Sequence, residues 1–157
     1  MPATDSPHAA FGALIGQTAR QWRRAADFHL QPFGLTEATW LPLLCIARAA
    51  EPMWQKDLAA ALSLDGSSVV RLVDTLEQAG LVARQEDAGD RRAKAIALTG
   101  PGQALARKVE AVVRRVREDA LAGLPQADVD TTLRVLRQVC DALAASMAAK
   151  GEEGARV

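Results

Sequence analysis

Two groups of residues in this 157-residue chain have types and spacings suited to chemistry. The first follows the turn-forming residues Ala88-Gly89-Asp90, where Arg91, Arg92 and Lys94 crowd together ahead of an alternating, mostly apolar run. A hairpin needs no cations at its mouth, so three of them point to an anion outside the protein. Asp90 lies close enough in sequence to orient Arg91 or Arg92 through a charge-assisted hydrogen bond. The second group is Ser67, Ser68 and Arg71, spaced to share one outward helical face near a helix start. Small hydroxyls let a backbone approach phosphate, a helix N-terminus attracts anions, and arginine can pair with a guanine edge. Each group has a plainer reading: a solvated cationic turn, and an Arg71 that pairs with Asp74 or Glu77 on its own helix.

Composition limits what these groups can do. Lys+Arg and Asp+Glu number 19 each, which excludes a globally basic nucleic-acid binder and leaves only local clustering. Even from Asp65 to Lys94 there are five basic and six acidic side chains, so the case rests on position and not on count. The chain is 49% hydrophobic and 24% charged, rich in Ala, without Tyr and with few Phe, a balance that favours packed helices. Cys45 and Cys140 are far apart and match no zinc spacing. No nucleophile–base arrangement, metal spacing or phosphate loop is legible, so neither an enzyme nor a cofactor is expected. The Met1 to Gln17 segment lacks a cationic start and no apolar run approaches membrane-spanning length. A reduced cytoplasmic protein without a membrane partner is expected.

The elements that must position these residues follow from periodicity. Ser6-Pro7 is a cap and first-turn proline for a helix carrying Phe11, Leu14, Ile15, Thr18, Trp22, Ala25, Ala26 and His29 on one stripe. Pro32 and Gly34 end it near Leu30, and Thr36 caps a second helix through Trp40, Leu43, Leu44 and Ala47, with Pro42 within it. After Glu51-Pro52, Gln55 to Leu62 reads as a short third helix burying Leu58, Ala61 and Leu62. Asp65 caps a fourth with a Val69, Leu72, Val73 and Leu76 stripe, stopped by Gly80. The period then becomes two: Leu81 to Glu86 and Arg92 to Leu98 read as a hairpin. Thr99 caps a long fifth helix, and a sixth follows Gly123-Leu124-Pro125 with Val129, Leu133, Leu136, Cys140, Leu143 and Met147 in a stripe fit for partner helices. His29, Cys45 and Cys140 are expected to be buried.

Three short helices and then a two-stranded hairpin is the plan of a winged helix-turn-helix, whose third helix, here Gly66 to Gln78, enters a major groove. The wing from Asp87 to Lys94 would set Arg91 beside a neighbouring minor groove. The fold class expected is mainly α (α+β). In sequence detail the run from Leu35-Thr36 and Trp40, through Gln55-Lys56-Asp57-Leu58-Ala59 and Ser68 to Leu76, to Asp90-Arg91-Arg92-Ala93-Lys94 ahead of Leu98-Thr99, resembles the MarR family of bacterial transcription regulators, most of all its SlyA branch. The resemblance covers about Ala10 to Leu143.

The resemblance implies a homodimer with an interlocked helical dimerisation region, residues 1–35 and 100–150, flanking a DNA-binding domain at 36–99, with a frayed tail at 151–157. It implies a pseudo-palindromic operator in double-stranded DNA, bound by Ser67, Ser68, Arg71, Asp90, Arg91, Arg92 and Lys94, and repression of transcription. It also implies a cleft where a small aromatic carboxylate such as salicylate weakens DNA binding, with Arg23, Trp40, Leu44 and Trp22 at the corresponding positions. Trp54 stands where a small capping residue is common, and Leu44 replaces a polar cleft residue of the SlyA branch. Two other functions fit the same scaffold. One is a thiol-based redox sensor using Cys45 or Cys140; the other is a winged helix used only for protein contact.

Overall fold

The computed structural model describes residues 6–86 and 94–154. In chain order these form helix α1 (Pro7–Leu30), a short 3-10 turn (Gln31–Phe33), α2 (Glu37–Arg48), strand β1 (Met53–Trp54), α3 (Gln55–Leu62), α4 (Gly66–Gln78), β2 (Val82–Glu86), β3 (Lys94–Leu98), α5 (Gly100–Leu121) and α6 (Gln126–Gly154). The architecture is mainly helical with one small antiparallel sheet, the winged helix-turn-helix expected. Among the described residues no helix is long and apolar enough to cross a membrane.

Local signals set most boundaries. The Ser6 side chain accepts a hydrogen bond from the His8 amide, with Pro7 in the first turn of α1. Gly34, at φ +70°, takes the left-handed turn that ends the 3-10 segment. Thr36 holds the cap position of α2, but its side chain makes no capping bond. Thr99 caps α5 as expected: its hydroxyl accepts from the Gly102 amide at 3.1 Å and donates to the Gly80 carbonyl at 2.6 Å. Helix α6 continues through Gly154, into the stretch expected to fray.

The chain divides into two compact units, one reaching Val116 and one starting at Arg117. In the first, α2 stands between two apolar clusters. Leu43 and Ile46 join Leu58, Ala59, Val69, Val73, Leu76, Val82 and Ile96 beneath the winged module. Trp40 and Leu44, on the other face of α2, join Ala26, Leu30, Leu35, Val109 and Val113. Pro42 is buried inside the same helix. In the second unit, α6 buries none of its described side chains, and Leu133, Leu143 and Met147 are exposed.

Several expectations are corrected. The hairpin is part of a three-stranded sheet of order β1-β3-β2, because Met53 and Trp54 pair with Ile96 and Ala95. Two residues cannot display a period of two, so β1 left no pattern in the sequence. Helix α3 buries Leu58 and Ala59 and leaves Ala61 exposed, since its inward face follows positions one and four residues apart. His29 is exposed, edge-on to Phe28 at 5.4 Å, because Ala26 and Leu30 take the inward positions at this end of α1. Cys45 is half-buried and Cys140 is exposed.

Candidate nucleic-acid interface

Helix α4 owes its position to an amphipathic sequence. Val69, Val73 and Leu76 are buried on one side, which turns Ser67, Val70 and Arg71 outward. Gly80, at φ +72°, reverses the chain into β2, so the same helix leads directly to the hairpin. Strands β2 and β3 are in register from Val82 opposite Leu98 to Glu86 opposite Lys94. The expected wing contacts Asp90, Arg91 and Arg92 lie outside the described residues. Lys94 is placed as the first residue of β3.

The start of α4 carries the cap expected. Asp65 is the cap, accepting from the Ser68 amide at 2.8 Å. Its carboxylate also accepts from both serine hydroxyls, Ser67 Oγ at 2.6 Å and Ser68 Oγ at 2.8 Å. These three donors hold the Asp65 carboxyl far below the usual carboxylate range, the Ser67 hydroxyl contributing most. An ionised carboxylate therefore already answers the helix N-terminus, which is not an open phosphate site. Each hydroxyl has one hydrogen and donates it to Asp65, so Ser67 and Ser68 can serve any further partner as acceptors only.

Farther along α4, Arg71 does not make the pairing within its own helix. Asp74 and Glu77 do not pair with it, because Arg84 on β2 takes both. Arg84 Nη2 donates to Asp74 Oδ1 at 2.5 Å, its Nη1 donates to Glu77 Oε2, and its backbone amide donates to Glu77 Oε1 at 3.0 Å. The Arg84 amide, with its guanidinium second, keeps Glu77 below its ordinary pKa. The Arg71 guanidinium, exposed, has no acidic partner among the described residues.

Of the residues expected around an effector, Trp40 and Arg23 make contacts between α1 and α2. Trp40 is only 3% exposed, and its indole N–H donates to Asp27 Oδ1 at 2.6 Å. Leu44 is equally buried, Trp22 is half-buried, and the Arg23 guanidinium pairs with Glu37 at 3.4 Å. Trp40 and Leu44 are thus core residues in this state, while Trp22 and Arg23 remain reachable. A hollow of about 400 Å³ opens beside them, lined by Arg24, Asp27, Phe28, Gln31, Leu35 and Thr36. A larger one, about 690 Å³, lies between the α2–β1 connection, β3 and α5 and includes none of the four expected residues. Arg48 and Glu110 form a two-pronged pair on its wall, both bonds 3.0 Å.

A profile described as the MarR family matches residues 33–93. The crystal structure of transcriptional regulator PA3341 superposes with a TM-score of 0.81 at 39% identity, covering 85% of this chain and 98% of that one. The chain belongs to the MarR family of transcriptional regulators. A MarR-family regulator from Rhodococcus sp. RHA1 is 29% identical, with a TM-score of 0.73 over 87% of this chain and 97% of that one. CouR from Rhodococcus jostii RHA1, solved bound to p-coumaroyl-CoA, is 31% identical, with a TM-score of 0.74 over 87% and 95%. As a MarR-family member the protein is a DNA-binding transcriptional regulator and not an enzyme.

Asp27 and Arg84 each engage residues that the sequence reading singled out, and neither has a motif of its own. Both pairings cross between elements, 13 residues apart for Asp27 and Trp40 and 10 for Arg84 and Asp74, beyond any single-helix rule. The Cys45 thiol of this MarR-family chain gains no activation. Burial raises the Cys45 pKa and outweighs the opposing charge of Arg48, so Cys45 is held as the unreactive thiol.

Proposed function

We propose that the protein acts as a homodimer, each winged module (36–99) taking one half of a pseudo-palindromic operator, and that it represses transcription until a small aromatic acid releases it. Arg71 carries the DNA-reading half of this proposal: an exposed cation on the outward face of α4, with both acidic neighbours on its helix held by Arg84. Ser67, Ser68, Asp90, Arg91, Arg92 and Lys94 complete the contact set. Within the family the protein stands nearest the SlyA branch, on Leu35-Thr36, Trp40 and the Asp90 to Lys94 run.

Regions 1–35 and 100–150 join the two copies. Support comes from apolar side chains exposed in the single chain: Phe11, Leu14 and Ile15 on α1, and Leu133, Leu143 and Met147 on α6. The effector site uses Arg23 and Trp22 at its entrance and Trp40 and Leu44 beneath. An incoming carboxylate exchanges with Glu37 for Arg23, and its ring needs the Asp27–Trp40 bond to open. An aromatic acyl group is also what CouR's ligand carries. Binding there favours one arrangement of the two winged modules over another and lowers operator affinity by linkage.

The test is a titration of an operator fragment, selected from the source genome, with and without millimolar salicylate, alongside tryptophan fluorescence. Release of DNA with a fluorescence change is expected, and Arg23→Ala should abolish the release while keeping DNA affinity. Unchanged affinity and fluorescence would overturn this ligand class.

A further inference from the structure

Arg84 carries no expected role in DNA contact, yet it pairs with two carboxylates of α4. Its side chain is only 17% exposed, while those of Asp74 and Glu77 are 48% and 40% exposed. A guanidinium at that depth must keep its partners, since burial disfavours its charge and the two carboxylates restore it. The carboxylates sit on the helix that faces DNA. Asp74 follows Arg71 by three residues, the spacing at which side chains on one helix meet.

Without Arg84, two negative charges on α4 would lie free beside the only cation that helix carries. Asp74 would compete for Arg71, and both carboxylates would repel phosphate. With Arg84 in place, its planar fork divides between them, and its backbone amide adds a third bond to Glu77.

We propose that Arg84 is a positioning residue for DNA recognition: it masks Asp74 and Glu77, keeps Arg71 available to the groove, and ties the recognition helix to the strand leading into the wing. This rests on the reading of α4 as the DNA-contacting helix. Arg84 itself does not touch DNA; it acts through the charges it occupies.

The experiment is a fluorescence-anisotropy titration of operator and scrambled duplexes at two salt concentrations. Four variants are compared with the parent: Arg84→Met, the triple change Arg84→Met with Asp74→Asn and Glu77→Gln, the double change Asp74→Asn with Glu77→Gln, and Arg71→Ala. Arg84→Met keeps the apolar stem, and it should lose about tenfold or more in operator affinity, with the larger loss at low salt where unmasked charge is least screened. The triple variant should recover to within about threefold of the parent, because the charges that need masking are gone. A merely structural role for Arg84 predicts no such rescue.

Parent-like binding by Arg84→Met, or a triple variant as weak as the single one, overturns the proposal. Should Arg84→Met fail to fold, as read by circular dichroism, the double variant decides. It should bind no more weakly than the parent, since it removes charges already masked, and a tenfold loss would refute the masking. Arg71→Ala separates this proposal from the one beneath it: full operator affinity there would remove α4 as the reading helix, whatever Arg84 does.

Discussion

Ser67, Ser68 and Arg71 share one face of α4 but present opposite hydrogen-bonding characters. The serine hydrogens are committed to Asp65, whereas Arg71 offers donors only. Arg71→Ala should therefore cost about 1–3 kcal/mol and relax the preference for one base pair in each half-site, as read by titration against operator variants. Arg91→Ala should instead weaken binding to every duplex alike and flatten the salt dependence, as expected of a cation that reads phosphate and groove shape. The Asp65 cap sets a pH expectation. Its carboxyl is depressed below the unfolded value of about 3.9, so its contribution to folding is present above that pH and fades as pH falls through the lower folded value. The Ser68 amide resonance should keep its position down through pH 4 and move only at more acidic pH. A midpoint at the ordinary aspartate value would show that the three bonds to Asp65 do not persist in solution.

At the scale of elements, the junction between α4, the sheet and α5 depends on one contact that composition does not reveal. A Cβ built on Gly102 would lie 1.9 Å from the Leu81 carbonyl oxygen, an approach no side chain permits. Thr99 bridges the same junction, its hydroxyl on Gly80 and its backbone amide donating to Leu81 at 3.1 Å. Gly102→Ala should destabilise the protein by about 1–3 kcal/mol or more in urea unfolding, because backbone on both sides must shift. A variant as stable as the parent would mean that α5 begins differently from what is described. The element boundaries around this junction were legible because Asp65, Gly80 and Thr99 act locally. The close approach at Gly102 was not, since the residue it meets lies 21 positions earlier.

The whole molecule bears on dimerisation and its consequence for DNA. Leu143 is 61% exposed and Met147 70% exposed on α6, and Leu14 is 61% exposed on α1. Leu143→Glu, a charge on that apolar stripe, should shift the protein toward monomer in sedimentation at micromolar concentration. Operator affinity should fall with it, because linking two half-sites about 10 base pairs apart is what raises a weak single contact to specific binding. A monomeric parent, or a variant that stays dimeric and binds normally, would remove α6 from the interface. Cys140 lies on the same stripe, so its exposure in the single chain gives no support to a redox role.

Periodicity and caps alone determined the order of the helices, the hairpin that follows them, and the outward placement of Ser67 and Arg71. Those signals reside within a few residues of one another and survive without knowledge of the rest of the chain. Tertiary structure decided what each side chain is bound to. It gave Trp40 to Asp27, Arg23 to Glu37, and the acidic residues of α4 to Arg84. It also added β1, whose two residues become a strand only because β3 pairs with them. The physical reason is common to most of them: charge pairing and strand pairing join groups that are distant in sequence, and only the packed core fixes which of several possible partners comes within reach.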